Sequence, residues 1–413
     1  MKDTKLNIDY GLIQGCYWLL AAVFFAFMTP ILQERQFDNT QIGILLGIRS
    51  VAAIFSQSLV SILADRYAKK IPLKKITAVV VFTAAFANLI FLLFPMDFLP
   101  TVILFFVVGA ATYCISPMID AVAMEFMKLG RKLNYTLCRS AGSASWALAC
   151  VGIGWMMSKW GADSLLVLHI VFLVVLGVLL LRVETAKRPE TKEGSSSTQP
   201  SGIWQLLRSY PGYTWFLIAY TLLYMSSTLG TNFQIDVITS LGGDHTSLGY
   251  SEFLMAIAEV PVVFFYGKLK KRIGLNRVLF LIFLFGTAKV YCQSFAPNLP
   301  CFMLAQLWQM VSWGMSYTAV VDYVMREVPT KDLVKGQGLL TVAGAGIGNS
   351  LASYISGILY DHFSLTVLLG AGTVSGLVSV LLLMVALQSS TAGNANIYNT
   401  KEKEIELLVK KQK

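Results

Sequence analysis

The feature that most constrains this chain is a succession of apolar stretches too long for the core of a soluble domain. Leu165–Leu181 holds one histidine and no formal charge, and Phe363–Gln388 holds no charge at all. A bilayer core of about 30 Å is spanned by about 20 apolar residues in helical form. Inside it the backbone must satisfy its own hydrogen bonds, so stretches of this kind are helices. Composition agrees: 55% of the 413 residues are hydrophobic and only 14% are charged, against roughly 25% charged in soluble domains.

The pattern predicts twelve membrane helices. The first six cover Tyr10–Leu32, Gln41–Ala64, Ile76–Phe94, Leu99–Met127, Tyr135–Met157 and Ser164–Leu181. The second six cover Tyr213–Val237, Ser247–Leu269, Val278–Ala296, Cys301–Met325, Leu333–Leu359 and Phe363–Gln388. Tyr10–Leu32 is too long for the apolar segment of a secretion signal, so it is expected to stay as the first helix.

The net charge of +10 is not a nucleic-acid footprint, because the basic residues fall in alternate loops. One cluster is Arg66, Lys69, Lys70, Lys74 and Lys75; later ones hold Arg131 and Lys132, Arg182 and Lys187, Lys270 to Arg272, and Arg326 with Lys331. The intervening loops, such as Pro95–Pro100, are almost free of Lys and Arg. Basic residues mark cytoplasmic loops, so both termini are expected in the cytoplasm, in the cell (inner or plasma) membrane. The six cysteines form no CxxC pair, and His169, His245 and His362 are scattered. No metal or cofactor is expected. No Walker motif appears, so ATP is not the expected energy source.

Thr185–Gly202 is rich in Ser, Thr, Pro, Lys and Glu and has no apolar period, which reads as a linker. The expected organisation is a first six-helix bundle over 1–184, a linker over 185–211, a second bundle over 212–390 and a charged tail over 391–413. An internal repeat supports two related halves. Ser61-Ile-Leu-Ala-Asp-Arg-Tyr-Ala68 follows the second helix and Gly267-Lys-Leu-Lys-Lys-Arg-Ile-Gly274 follows the eighth. Paired halves of this kind enclose a site near the bilayer midplane.

The loop Leu63-Ala-Asp65-Arg66 with Lys69-Lys70 resembles the cytoplasmic loop motif of the major facilitator superfamily, with Ser61 and Ala68 where that family usually has glycine. The resemblance implies an all-α membrane protein of about twelve transmembrane helices in two pseudo-symmetric six-helix bundles. It also implies a gating role for Asp65 and Arg66. An acid–base pair at a helix end is equally expected as a solvated loop feature.

A narrower resemblance is to the lactose permease group of oligosaccharide–proton symporters. It rests on Arg139-Ser-Ala-Gly-Ser-Ala-Ser-Trp146 and on Pro117-Met-Ile-Asp120, whose acid is one carbon shorter than that family's. It implies substrate contacts by Asp120, Arg139 and Trp146. The residues make chemical sense alone. Charges within membrane helices usually mark a site or a pair, a carboxylate and a guanidinium grip vicinal hydroxyls, and Trp146 lies two turns beyond Arg139 on one helix face. The alternative is an Asp120–Arg139 ion pair that ties two helices, with Trp146 as packing.

The second half departs from that group. Gln309 and Ser312 stand where its proton-coupling His and Glu fall, Asn232 and Gln306 replace one of its charge pairs, and Lys289 replaces an arginine. Loss of both members of a pair is coherent, since one alone would be a buried unpaired charge. Asn232 and Gln309 are then candidate substrate contacts. Glu259, one turn beyond the family's acid, is the candidate coupling acid with Lys289. A permanent Glu259–Lys289 salt bridge is the alternative. Arg49, two turns into the second helix, either snorkels outward or lines the cavity and attracts an anion.

Together these imply a secondary transporter, not an enzyme, that moves a disaccharide or oligosaccharide with a proton, by alternating access and as a monomer. A nucleoside–proton symporter, with an Arg in the fifth helix and an acid in the eighth, or an aromatic-acid transporter are alternatives within the fold. A non-transporting membrane sensor is the alternative outside it.

Overall fold

The structure is a computed structural model that describes residues 2–67, 71–185, 202–329 and 332–411, with the side chains of all but residues 2, 57–67, 263–264 and 391–411. Among these residues every regular element is helical. The first half comprises α1 (Lys2–Ala26), the short α2 (Met28–Glu34), α3 (Asn39–Tyr67), α4 (Leu73–Leu93), α5 (Phe98–Lys128), α6 (Tyr135–Trp160) and α7 (Ala162–Arg182). A short α8 (Ile203–Ser209) precedes the second half. That half comprises α9 (Pro211–Thr231), the short α10 (Gln234–Ser240), α11 (His245–Ile273), α12 (Leu275–Ser294), α13 (Leu299–Gln306), α14 (Trp313–Glu327), α15 (Leu333–Thr341), α16 (Asn349–His362) and α17 (Leu365–Lys411). A 3-10 turn (Leu307–Met310) joins α13 to α14 towards one span, and a π turn (Val342–Gly348) joins α15 to α16 into another.

Twelve spans return the chain to the face on which it began. Eight of the described helices are each long and apolar enough to cross a bilayer, and α11 makes a ninth if its two arms, bent by 63°, count as one span. The other three, α6, α9 and α13–α14, are the more polar ones. They also supply walls of the central cavity described below, so their lower hydropathy has a cause.

Several boundaries differ from the sequence expectation. The first span begins earlier and breaks at Phe27, the seventh stops at Thr231, and the last runs on as helix to Lys411. Part of the expected linker is helical, as α8, and residues 186–201 of it lie outside the described residues. The gating pair Asp65 and Arg66 sits on the last turns of α3, where only the backbone is described. Ala68, Lys69 and Lys70 lie outside the described residues.

Three apolar clusters hold the molecule together. One gathers α1, α4, α5 and α7 around Leu20, Val81, Ile115 and Leu176. A second gathers the C-terminal helices around Phe216, Phe283, Ala319 and Leu383. The third draws on both halves, with Phe27, Leu45 and Ile153 against Phe233, Leu248 and Ala352. It lies at the end of the bundle opposite the termini.

At that end α3 packs on α16, and α6 packs on α11. These are the second helix against the eleventh and the fifth against the eighth, one relation repeated by the two-fold likeness of the halves. Glycines make both crossings possible, as small residues do where membrane helices approach closely. A Cβ on Gly43 would lie 2.4 Å from the Ser353 carbonyl, and one on Gly357 2.2 Å from that of Asn39. In the other crossing a Cβ on Gly249 would lie 2.3 Å from the Cys150 carbonyl, and one on Gly154 2.5 Å from that of His245.

Hydrogen bonds complete the seal. Gln33 Nε2 donates to Asp236 at 2.9 Å, and Ser158 Oγ donates to Asp244 Oδ2 at 3.2 Å. Asp361, on the second half, accepts from the backbone N–H and hydroxyl of Thr40, both at 2.6 Å, and from Asn39 Nδ2 at 2.8 Å. Asp361 thus caps the N-terminus of α3 from across the interface, where an acid is stabilised by the free N–H groups and the helix dipole. At the opposite end, charges pair within each half. Arg131 bonds Asp3 at 2.7 Å and Glu184 at 2.9 Å. These two carboxylates, Asp3 the more, raise the guanidinium above its ordinary value.

Candidate functional site

Between the halves lies a central cavity of about 200 Å³. The first half contributes Phe25 of α1, Thr29 and Pro30 of α2, Leu46 and Arg49 of α3, and Trp146 of α6. The second half contributes Ser227 and Thr231 of α9, Asn232 after it and Gln234 of α10. From deeper in that half come Glu252 and Met255 of α11, Lys289 of α12 and Gln309 of the 3-10 turn. Cavities of about 300–1,000 Å³ are usual for small-molecule sites, so this one is constricted, sealed at one end by the contacts just described.

Lys289 is the centre of the polar wall. It is only 4% exposed, and its Nζ donates to Gln309 Oε1 and to Met255 Sδ, both at 2.8 Å. Gln309 then donates from Nε2 to Glu259 Oε1 at 3.0 Å. A Lys289–Gln309–Glu259 chain therefore stands where a direct Glu259–Lys289 salt bridge was the alternative, and no such bridge is present among the described residues. Glu259 sits one turn short of the α11 bend. Pro261 lies inside that helix, where it removes a backbone donor and favours a kink.

Asn232 is also tied into its own half. Its Nδ2 lies 3.1 Å from both Ser353 Oγ and Ser356 Oγ on α16. Its neighbour Gln234 donates to the buried Ser251 hydroxyl at 2.6 Å.

Trp146 faces the cavity, whereas Asp120 and Arg139 do not line it. Both sit nearer the termini and against α1. Asp120 accepts from Gln14 Nε2 at 3.0 Å and from Tyr10 OH at 3.3 Å. Arg139 lies over the Trp18 ring at 4.2 Å and donates to Ser143 Oγ at 3.2 Å. No Asp120–Arg139 ion pair exists among the described residues. Trp18 meets Trp146 edge to face, with ring centroids 5.9 Å apart. Gly142 permits this, since a Cβ there would come within 2.4 Å of Trp18 Cδ1. Arg139, Trp18 and Trp146 thus form a ladder from the mouth near the termini to the cavity wall.

Several participants are not singled out by the sequence: Ser227, Thr231 and Gln234 of the polar wall, Met255 beside Lys289, Glu252 and Trp18. Glu252 is an acid in an apolar stretch, but Ser247, Tyr250 and Ser251 beside it make it read as the polar entry of a helix. Trp18 carries no signal apart from its aromaticity. Arg49, left between two orientations, lines the cavity.

The twelve spans, the paired halves and the polar cavity between them define a membrane transporter of the major facilitator type. The chain belongs to the MFS_1 like family, whose sequence model matches residues 12–369. It is 24% identical over 401 residues to the maltose permease of Geobacillus stearothermophilus, covering 95% of this chain and 96% of that protein. It is 23% identical over 399 residues to the uncharacterized transporter YwbF of Bacillus subtilis (strain 168), covering 94% and 96%. Among solved structures, a mutant of the nucleoside transporter NupG superposes with a TM-score of 0.80 at 14% identity, over 92% of this chain and 99% of that one.

Proposed function

We propose that this transporter moves a disaccharide or small oligosaccharide together with a proton, by alternating access around the central cavity. The observation that carries the reading is the cavity wall itself. It sets an indole, Trp146, opposite amide and hydroxyl groups of Asn232, Gln234, Ser227 and Thr231. A sugar ring offers an apolar face for the first and hydroxyls for the second. Arg139 acts through Trp18, which steadies Trp146, and Asp120 holds α1 in register at the mouth. Similarity to a maltose permease along almost the whole chain supports the same substrate class.

Coupling falls to Glu259, joined to Lys289 through Gln309. Deprotonated, the acid is stabilised by that chain; protonated, it releases Lys289 to other partners as the cavity changes sides. Each half moves as a bundle, residues 1–184 against 212–390. With both termini in the cytoplasm, as the basic loops indicate, the sealed end faces outward and the structure stands on the inward-facing side of the cycle. Asp65 and Arg66 then belong to the opposite gate.

Uptake into proteoliposomes tests this, with radiolabelled α- and β-linked disaccharides and nucleosides, with and without an inward proton gradient. Gradient-driven disaccharide uptake is expected. Arg139→Ala should raise KM by about 5- to 30-fold, the worth of a ~1–2 kcal/mol cation–π contact that seats Trp18. Glu259→Gln should keep exchange and lose accumulation. Nucleoside uptake without sugar uptake would sink the substrate assignment, and accumulation that survives in Glu259→Gln would remove that residue from coupling.

A further inference from the structure

Arg49 is a charge that the saccharide reading leaves without a task. It is 8% exposed and lies inside a membrane helix, yet it lines the cavity and does not snorkel to an interface. Its guanidinium rests 4.8 Å from the Phe24 ring centroid and 6.0 Å from that of Phe25. One terminal nitrogen donates to the Phe24 carbonyl, while the buried Nε has no partner. No described carboxylate pairs with Arg49. Across the cavity the acids belong to Lys289: Glu252 shares its wall, and Glu259 is reached through Gln309. The formally charged lining is Arg49, Lys289 and Glu252. With Glu259 behind Gln309 the charges balance in number, but both acids stand on the Lys289 side, and Arg49 faces the cavity with no acid of its own among the described residues.

A charge at this depth is costly, and such residues mark substrate or ion pathways. Arginine in particular presents a planar fork that matches carboxylate and phosphate oxygens, is weakly hydrated, and keeps its charge when buried. Phe24 and Phe25 exclude water from it and hold it on one side.

We propose that the transported saccharide is acidic, a sugar that bears a carboxylate or a phosphate, and that Arg49 holds this oxyanion on the wall opposite Lys289. The inference rests on the saccharide reading and narrows it. The hydroxyls and ring keep the partners already named; the anion takes Arg49, whose guanidinium has no side-chain acceptor among the described residues.

The 413-residue chain in proteoliposomes provides the test. The probes are a neutral disaccharide, the matching disaccharide with one uronic-acid ring, and a hexose phosphate, and the readout is the ratio of KM values on one preparation. Because the ratio is taken within one preparation, loss of folded protein cancels. The wild type should favour an acidic sugar by about 10- to 150-fold, the worth of a charge-assisted hydrogen bond of ~1.5–3 kcal/mol. Which of the two acidic probes is favoured separates carboxylate from phosphate. Arg49→Gln should collapse the preference, and Arg49→Lys, which keeps the charge without the fork, should retain part of it. Equal or better uptake of the neutral disaccharide, or a preference that survives in Arg49→Gln, overturns the proposal and leaves saccharide transport standing. Failure to move any of the three sugars removes both.

Discussion

A Ser158→Cys, Thr246→Cys double variant is expected to stop transporting once oxidised and to recover when a reductant is added. The two native hydroxyls are 3.0 Å apart, one on α6 and one on α11, so the new side chains start close to disulfide reach. The bridge would sit beside the crossing where Gly154 and Gly249 bring two backbones from opposite halves together. If substrate must pass this end, a covalent staple arrests the cycle in the sealed state. The reduced double variant serves as its own control for folding. Undiminished transport with the disulfide verified by gel shift would mean that this crossing never parts, and the seal would then be a fixed scaffold and not a gate.

Lys289→Met should carry the second large effect. The wild-type lysine is buried, and two acids of its own half stand near it, Glu252 on the same cavity wall and Glu259 through Gln309. Methionine fills similar volume but offers no charge. The acids must then protonate or remain unpaired at membrane depth, at a cost of about 3 kcal/mol. A fall in melting temperature in detergent is expected, with loss of gradient-driven accumulation. Adding Glu259→Gln should recover part of the stability, because removing both members of a buried charge group costs far less than removing one. Transport would stay lost. If Lys289→Met melts like the wild type, Gln309 alone satisfies Glu259 and the chain of three carries no electrostatic load.

The fold was open to reading because its cause is local. Stretches such as Leu165–Leu181 leave the backbone one way to satisfy itself in lipid, and the number of spans and the pairing of halves follow from counting. The ends of the helices were less legible. Breaks at Phe27 and at Leu307–Met310 arise where a span bends around neighbours, and no periodicity marks them.

The site was legible in part, and the division has a physical reason. Trp146, Asn232, Lys289 and Gln309 meet at one cavity. Arg139 does not, and its depth explains this. It lies four residues into α6, about 6 Å along the axis at 1.5 Å per residue, which places it at a mouth and not at the midplane. Helical spacing says which residues share a face; it does not say how far down that face the cavity begins. Glu252 illustrates the converse. Its inward direction comes from the packing of α11 on α6, a contact between halves that no segment of sequence states.

The seal opposite the termini has one further property. Its polar cross-half contacts include hydrogen bonds onto Asp236, Asp244 and Asp361 and the Ser158–Thr246 hydroxyl pair, with apolar side chains packed together and glycine backbones pressed against carbonyl oxygens. No ion pair crosses it among the described residues. Mobile ions screen pairs of exposed charges within about 3 Å at 1 M salt, and such screening would loosen the Arg131 cluster at the other end. It has little hold on short hydrogen bonds and close packing. The accessibility of a single cysteine placed at Ser158 should accordingly stay flat as salt is raised. The face turned away from the termini can therefore meet fresh water or brine and keep the same balance between shut and open.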